Sequence, residues 1–317
     1  MAPTGVLRKG IGIYNGSSRQ AAGLEGRENG FLKRRLPYKN ASENNRRLNN
    51  ARLLFTRCMK KFRPASVIGV RSCRQPPQKT VMRGQSAMIE MIRVKLDSEL
   101  PFYAEQMEAV SWERRVRIIS SKLVPDKKRS LAAEMLMRIC AHKWLGIPAK
   151  KVQFRRNPYG RPYVPNVRHF HFNVSHAGDY VAIVAARNTV GVDLERIRDM
   201  DQSIIKRFYT PAEREYCARA CDADRQAAET QIWTLKESYI KARGKGLSLP
   251  LDSFSFRMTE PISVIPDDER YPHRFYSDFF DGHVFTVCCT GRVQELKICD
   301  MGEAELYPTF LRCGAEA

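Results

Sequence analysis

The sequence predicts an α+β protein built as two similar α+β halves behind a basic N-terminal extension. Three observations support this. The texture of the chain changes at Ala87, from an Arg-rich, aperiodic stretch to alternating and helical periods. After that point strand, helices and strands are followed by helices, one long helix and further strands. Strands and helices are also segregated into runs rather than alternating βαβα, which marks the α+β class. The expected boundaries are 1–86 for the extension, 87–186 and 187–300 for the two halves, and 301–317 for a C-terminal tail. No internal repeat accompanies the order, so the two-half reading rests on element succession.

The 317 residues carry a formal net charge of +20. Residues 1–86 hold nineteen Lys or Arg against Glu25, Glu28 and Glu43, a net +16 that leaves about +4 for the rest. The pI of 9.8 therefore describes the extension, and it is no argument for nucleic-acid binding by the folded part. Acid-poor, Arg-rich, Ser-containing N-termini resemble organelle presequences, which would make the protein mitochondrial or place it in another organelle. Otherwise the extension is a disordered arm, or an untranslated stretch ahead of Met82 or Met88, and the protein is cytoplasmic. Nine cysteines, an odd number without a C-x-x-C pair, read as reduced thiols filling apolar sites. Cys217 and Cys221 share helical spacing, but two thiols fall short of a zinc site. No apolar run reaches the ~18–20 residues needed to span a bilayer, so a soluble protein without membrane attachment is expected.

The elements follow in order. Met88–Leu96 alternates as a first strand, and Ala104–Ser121 reads as one helix. Asp126 is placed to cap a long helix, Lys127–Leu145, whose Leu131, Met135, Ile139 and Trp144 form an apolar stripe ended by Gly146-Ile147-Pro148. Val152–Arg156 leads into a turn at Asn157–Pro162. His169–Val174, Tyr180–Ala186 and Val190–Leu194 are strands, with Asn188-Thr189 as a hairpin turn. Ile204–Phe208 and Pro211–Ala220 read as helices, the second with Pro in its first turn. The helix containing Glu237 stops at Gly244 or Gly246. Strands at Ser253–Phe256, Arg274–Tyr276 and His283–Thr290 complete the pattern.

Two acidic segments concentrate the chemistry. In a strand, Asp193 and Glu195 face the same way. In a helix, Glu237 and Lys241 stack on one face, with Trp233 behind them. Brought together, three carboxylates beside one ammonium need a cation to relieve their repulsion, and Mg²⁺ bridging to a substrate phosphate meets that need. Taken singly, each piece has a plain alternative: an i, i+4 helix pair, a solvated strand end, a turn. His169, His171, His273 and His283 read as structural, since no carboxylate or cysteine is spaced to complete a metal site with them. Lys236 stands open between phosphate or carrier contact and a structural role.

Read together, the chain resembles the Sfp-type 4′-phosphopantetheinyl transferases, and within them the eukaryotic aminoadipate-semialdehyde dehydrogenase phosphopantetheinyl transferase group. Four motifs over roughly residues 88–295 carry the resemblance: Tyr159-Gly160-Arg161-Pro162 (Arg where the family usually has Lys), Asn173-Val174-Ser175-His176, Gly191-Val192-Asp193-x-Glu195, and Trp233-x-x-Lys236-Glu237-Ser238-x-x-Lys241. The resemblance implies two halves related by a pseudo-twofold axis, acting as a monomer with an internal pseudo-dimer. It implies transfer of the phosphopantetheine arm of coenzyme A to a serine of an apo acyl carrier protein, as in fatty-acid synthesis or lysine metabolism. It further implies Asp193, Glu195 and Glu237 as Mg²⁺ ligands, and Glu237 as general base with Asp193 and Lys241 beside it. Coenzyme A would be bound by Arg117 at the 3′-phosphate and by Arg156, Arg161, Asn173, Ser175, His176 and Lys241, with Arg161 as an exposed phosphate contact. The chemistry asks for these types: a carboxylate takes the serine proton, while cations neutralise the leaving diphosphate.

Two other readings compete. A Mg²⁺-dependent nuclease also uses Asp, Glu and Lys, but with acid and lysine two apart on a strand. A non-catalytic basic nucleic-acid-binding protein would rely on residues 1–86 and lose affinity with salt.

Overall fold

The computed structural model describes residues 88–100, 104–291 and 295–314. The readings made for the extension 1–86 fall outside them. Strand β1 (Met88–Lys95) is followed by a 3₁₀ turn at Ala104–Ala109, helix α1 (Trp112–Ser120) and helix α2 (Val124–Leu145). The short strands β2 (Arg155–Arg156) and β3 (Pro162–Tyr163) precede β4 (His171–Ala177), β5 (Tyr180–Ala186) and β6 (Val190–Arg196). Helices α3 (Gln202–Phe208), α4 (Pro211–Arg219) and α5 (Asp222–Arg243) come next. The chain ends with β7 (Ser255–Arg257), β8 (Ser263–Ile265), β9 (His273–Phe280), β10 (His283–Thr290), β11 (Glu295–Gly302) and α6 (Glu303–Gly314).

Two sheets form the centre, with strand orders β11-β1-β5-β4 and β6-β10-β9. They pack face to face through Ile89, Met91, Val184, Val192, Phe285 and Val287. The outer face of the first sheet, with Ile92, Val94 and Ile183, is covered by Leu131, Met135 and Leu136 of α2 and by Leu306 and Phe310 of α6. Ile232, Leu235, Tyr239 and Ile240 of α5 pack with Phe275 and Cys288 on the outer face of the second. The result is a helix–sheet–sheet–helix stack in which β1 is buried on both faces from Ile89 to Ile92. Glu90 is the buried charged residue of β1, and its carboxylate is taken up by Lys143 Nζ at 2.9 Å and Trp144 Nε1 at 3.0 Å.

Most elements form where the sequence placed them, and the departures have local causes. The helix expected over Ala104–Ser121 is broken at Val110–Ser111. There Arg115 Nε bonds to Val110 O at 3.1 Å, and Ser111 adopts an extended N-cap conformation. The second helix begins at Val124, with Pro125 in its first turn, and Asp126 pairs with Arg129 instead of capping. Helix α4 carries a full capping box between Thr210 and Glu213. The expected tail at 301–317 needs correcting. β11 pairs parallel to β1, from Met88↔Glu295 to Lys95↔Gly302, and α6 covers the first half's core. Arg93 grips Asp300 with two bonds of 2.6 and 2.7 Å across that pairing, so the end of the chain completes the sheet of the N-terminal half. Among the described residues no helix is long and apolar enough to cross a membrane.

Candidate active site

The site forms where β4 and β6, the facing edges of the two sheets, meet the C-terminal half of α5. Their approach depends on Gly191. A Cβ there would lie 2.2 Å from Ser238 O and 2.5 Å from Ala242 N, both helix backbone. With no side chain in the way, α5 lies directly on β6. Thr234 completes the contact, sharing a 2.8 Å hydroxyl bond with Thr286 of β10. This places the helix face carrying Glu237 and Lys241 over the strand face carrying Asp193 and Glu195.

Asp193 is the hub. Its Oδ1 accepts from Lys241 Nζ at 2.6 Å and from Ser175 Oγ at 3.0 Å. Lys241 Nζ also donates to Ser175 Oγ and Val192 O, each at 3.2 Å. The second carboxylate oxygen, Asp193 Oδ2, is buried and has no hydrogen-bond partner. Burial, and next the Asp193 charge, pushes the Glu195 and Glu237 carboxyls up to about 7. Three acids thus stand close enough to repel, with the Arg198 and Lys241 charges opposing that repulsion at Glu195 and Lys241 at Glu237, and an orphaned oxygen marks where a further cation is wanted. Among the described residues, however, no three His, Cys, Asp or Glu side chains are gathered as tightly as a bound metal requires. Lys241, on Asp193 Oδ1, serves as the local counter-ion.

The expected coenzyme ligands separate into two groups. Ser175 touches both Asp193 and Lys241. His176 lies at the rim, and its imidazole is held below its ordinary value by partial burial and then by the Arg129 and Lys241 cations. Arg117 and Arg156 are exposed, and Arg156 Nη1 donates to Gly160 O at 2.6 Å. Asn173 points elsewhere: its side-chain oxygen accepts from Val192 N at 2.9 Å, stitching β4 to β6 just before Asp193. Arg161 is the clearest correction. Far from being an exposed phosphate contact, its guanidinium donates to four carbonyls, Lys241 O (2.9 Å), Ala242 O (3.0 Å), Val190 O (2.9 Å) and Phe172 O (3.3 Å). Four of its five N–H groups are committed, so it clamps the end of α5 to both sheet edges. Asn157 Nδ2 reinforces the clamp by donating to Gly244 O at 3.0 Å.

Sequence reasoning missed two arginines. Arg114 is half-buried on α1, and its pKa is lowered by burial and by the neighbouring Arg156 and Arg117 charges. Its Nε is buried without a hydrogen-bond partner, 3.7 Å from Glu134 Oε2. The three arginines lie close enough for their charges to repel, and Glu134 is the carboxylate that answers Arg114. The i, i+3 spacing of Arg114 and Arg117 was the available signal. Arg129 donates to Gly178 O at 2.9 Å, shaping the turn after His176. Lys128, one residue earlier, is buried on Glu303 Oε2 at 2.9 Å and Leu100 O at 2.8 Å.

A separate hollow of about 430 Å³, lined by Asp199, Gln202, Asp222, Arg225 and Glu229, is carboxylate-rich and a poor seat for phosphate.

Carboxylates and an ammonium gathered at the seam between two sheets are residue types that suit phosphoryl transfer. The model of the 4′-phosphopantetheinyl transferase superfamily matches residues 189–288, and that of the 4′-phosphopantetheinyl transferase N-terminal domain matches residues 99–188. Over 229 residues the chain is 32% identical to the 4′-phosphopantetheinyl transferase gsp of Aneurinibacillus migulanus, covering 71% of this chain and 96% of that protein. A 4′-phosphopantetheinyl transferase of Bacillus subtilis is 37% identical, with 65% and 91% covered. The L-aminoadipate-semialdehyde dehydrogenase-phosphopantetheinyl transferase of Xenopus laevis is 27% identical, with 61% and 73% covered. The chain belongs to the 4′-phosphopantetheinyl transferase superfamily. Within it the chain is similar to the Sfp-type enzymes of Bacillus and related to the eukaryotic aminoadipate-semialdehyde group.

Proposed function

We infer that the protein transfers the 4′-phosphopantetheine arm of coenzyme A to a serine of an apo acyl carrier protein, releasing adenosine 3′,5′-bisphosphate. The observation that carries this reading is the convergence of Asp193, Glu195, Glu237, Lys241 and Ser175 on one seam. Asp193, Glu195 and Glu237 would hold Mg²⁺, and the orphaned Asp193 Oδ2 supports that fit. When bound, the ion supplies neutralisation of the diphosphate charge.

The chain's own residues do the rest. Glu237, with a carboxyl poised at about 7, takes the serine hydroxyl proton as the oxygen attacks the β-phosphorus. Lys241 and His176 face the phosphate oxygens on which charge accumulates as the bond to the α-phosphate side breaks. Arg114, Arg117 and Arg156 hold the nucleotide phosphates, and Arg161 fixes the end of the helix that carries Lys241. The nuclease alternative finds no support, because Glu237 and Lys241 lie one turn apart on a helix rather than two apart on a strand.

Incubating the full chain with apo carrier protein, coenzyme A and Mg²⁺ should add one phosphopantetheine group to the carrier serine by intact mass. An unmodified carrier across fatty-acid-type and aminoadipate-reductase-type domains would overturn the reading.

A further inference from the structure

Next to the metal-seeking Glu237 lies a charged residue that faces away from the site. At about 100° per helical residue, Lys236 points roughly 200° from Thr234, the side chain that meets the sheet, so it lies on the back of α5. Both Lys236 and Glu213 have 0% side-chain exposure, and they pair at 2.9 Å. The ammonium has three N–H donors. They are matched by Glu213 Oε2, Leu251 O at 2.8 Å and Phe254 O at 3.0 Å, leaving none for a substrate phosphate or carrier. Glu213 is equally committed: Oε1 accepts from Phe256 N at 2.9 Å, and Oε2 from Thr210 N at 2.8 Å. One buried pair therefore joins α4, α5, the Leu251–Phe254 turn and β7.

A buried pair of this kind contributes little stability that an apolar pair of similar volume could not replace. It differs in fixing direction, since each of its bonds specifies one distance. We propose that Lys236, through Glu213, is a positioning residue. The pair presses α5 onto the sheet at the turn carrying Glu237 and so sets the spacing of Glu237 and Lys241 from Asp193. The inference rests on the transferase reading for the identity of the site, but metal binding tests it without turnover.

The test replaces both charges together, Lys236→Met with Glu213→Leu, so that neither ion is left unpaired. Mn²⁺ binding is measured by calorimetry on the full chain, and transfer by carrier mass. The variant should melt cooperatively, bind Mn²⁺ about tenfold more weakly, and lose kcat with the KM for coenzyme A little changed. Unchanged Mn²⁺ affinity and kcat per folded molecule would show a purely structural pair and overturn the proposal. A raised KM for coenzyme A or carrier with Mn²⁺ affinity intact would show substrate contact and also overturn it. Should the double variant fail to fold, Glu213→Gln carries the same readouts and the same two overturning outcomes. Wild-type chain that binds Mn²⁺ but modifies no carrier would sink the transferase reading and leave this inference standing.

Discussion

Individual side chains divide by how many of their donors and acceptors are already taken. Glu237→Gln removes the proton acceptor while keeping size and burial. Coenzyme A binding should persist while transfer falls below detection; unchanged turnover would take Glu237 out of the reaction. Arg114→Ala or Arg117→Ala should weaken coenzyme A about tenfold or more, as expected for loss of a charge-assisted bond, but affect dephospho-coenzyme A much less. Equal losses for both ligands, measured by calorimetry, would separate these arginines from the 3′-phosphate. The carboxyls of Glu195 and Glu237 stand at about 7 rather than 4.5, chiefly through burial. A raised folded value contributes stability that is fully present below about 4.5 and lost as pH rises through about 7. Metal-free protein should therefore lose Tm between about pH 5 and about pH 8, and Mg²⁺ should restore more of it at the upper end. A Mg²⁺ gain independent of pH would contradict the shared site. The acids were legible in the sequence because strand and helix periods alone put them on two facing surfaces. Arg161 and Arg114 were not, because a sequence gives a residue's charge without showing which carbonyls or cations surround it.

Among the elements, the contact of α5 with β6 matters most. Gly191→Ala would drive a methyl group into the backbone at Ser238 and Ala242. Relief requires the helix to lift, at a cost of about 1–3 kcal/mol. Since the lift separates Glu237 and Lys241 from Asp193, kcat should fall even where the protein stays folded. Melting and steady-state kinetics on one preparation would show it, and wild-type kcat in a destabilised variant would refute the link. Helix α2 was legible from its apolar stripe and Gly stop, and the end of α5 from its Gly stop. β11 was not, although Leu296 and Ile298 alternate with Glu295, Lys297 and Asp300. Its partner is β1, 207 residues away, and no local pattern reports a parallel pairing at that distance.

For the whole molecule, the charge excess and the chemistry lie in different parts of the chain. Deleting residues 1–86 should leave kcat and both KM values unchanged, since every residue placed in the site lies beyond Arg93. A large loss on deletion would tie the extension to catalysis. A fluorescent protein fused behind residues 1–86 should enter an organelle if they are an import signal, and a diffuse cytosolic distribution would refute that. Removing residues from Glu295 onward, by contrast, should abolish cooperative melting, because it strips β11 from β1 and α6 from the first half's core.

The pairing of β1 with β11 also bears on biosynthesis. While the chain is being made, the first strand has both edges bare until β5 arrives, and one edge bare until a segment some 200 residues later arrives. At ribosomal speeds of ~5–20 residues per second, that leaves the strand incompletely paired for roughly 10–40 s. Chaperone capture should therefore concentrate on nascent chains that contain Met88–Lys95 but stop short of Glu295.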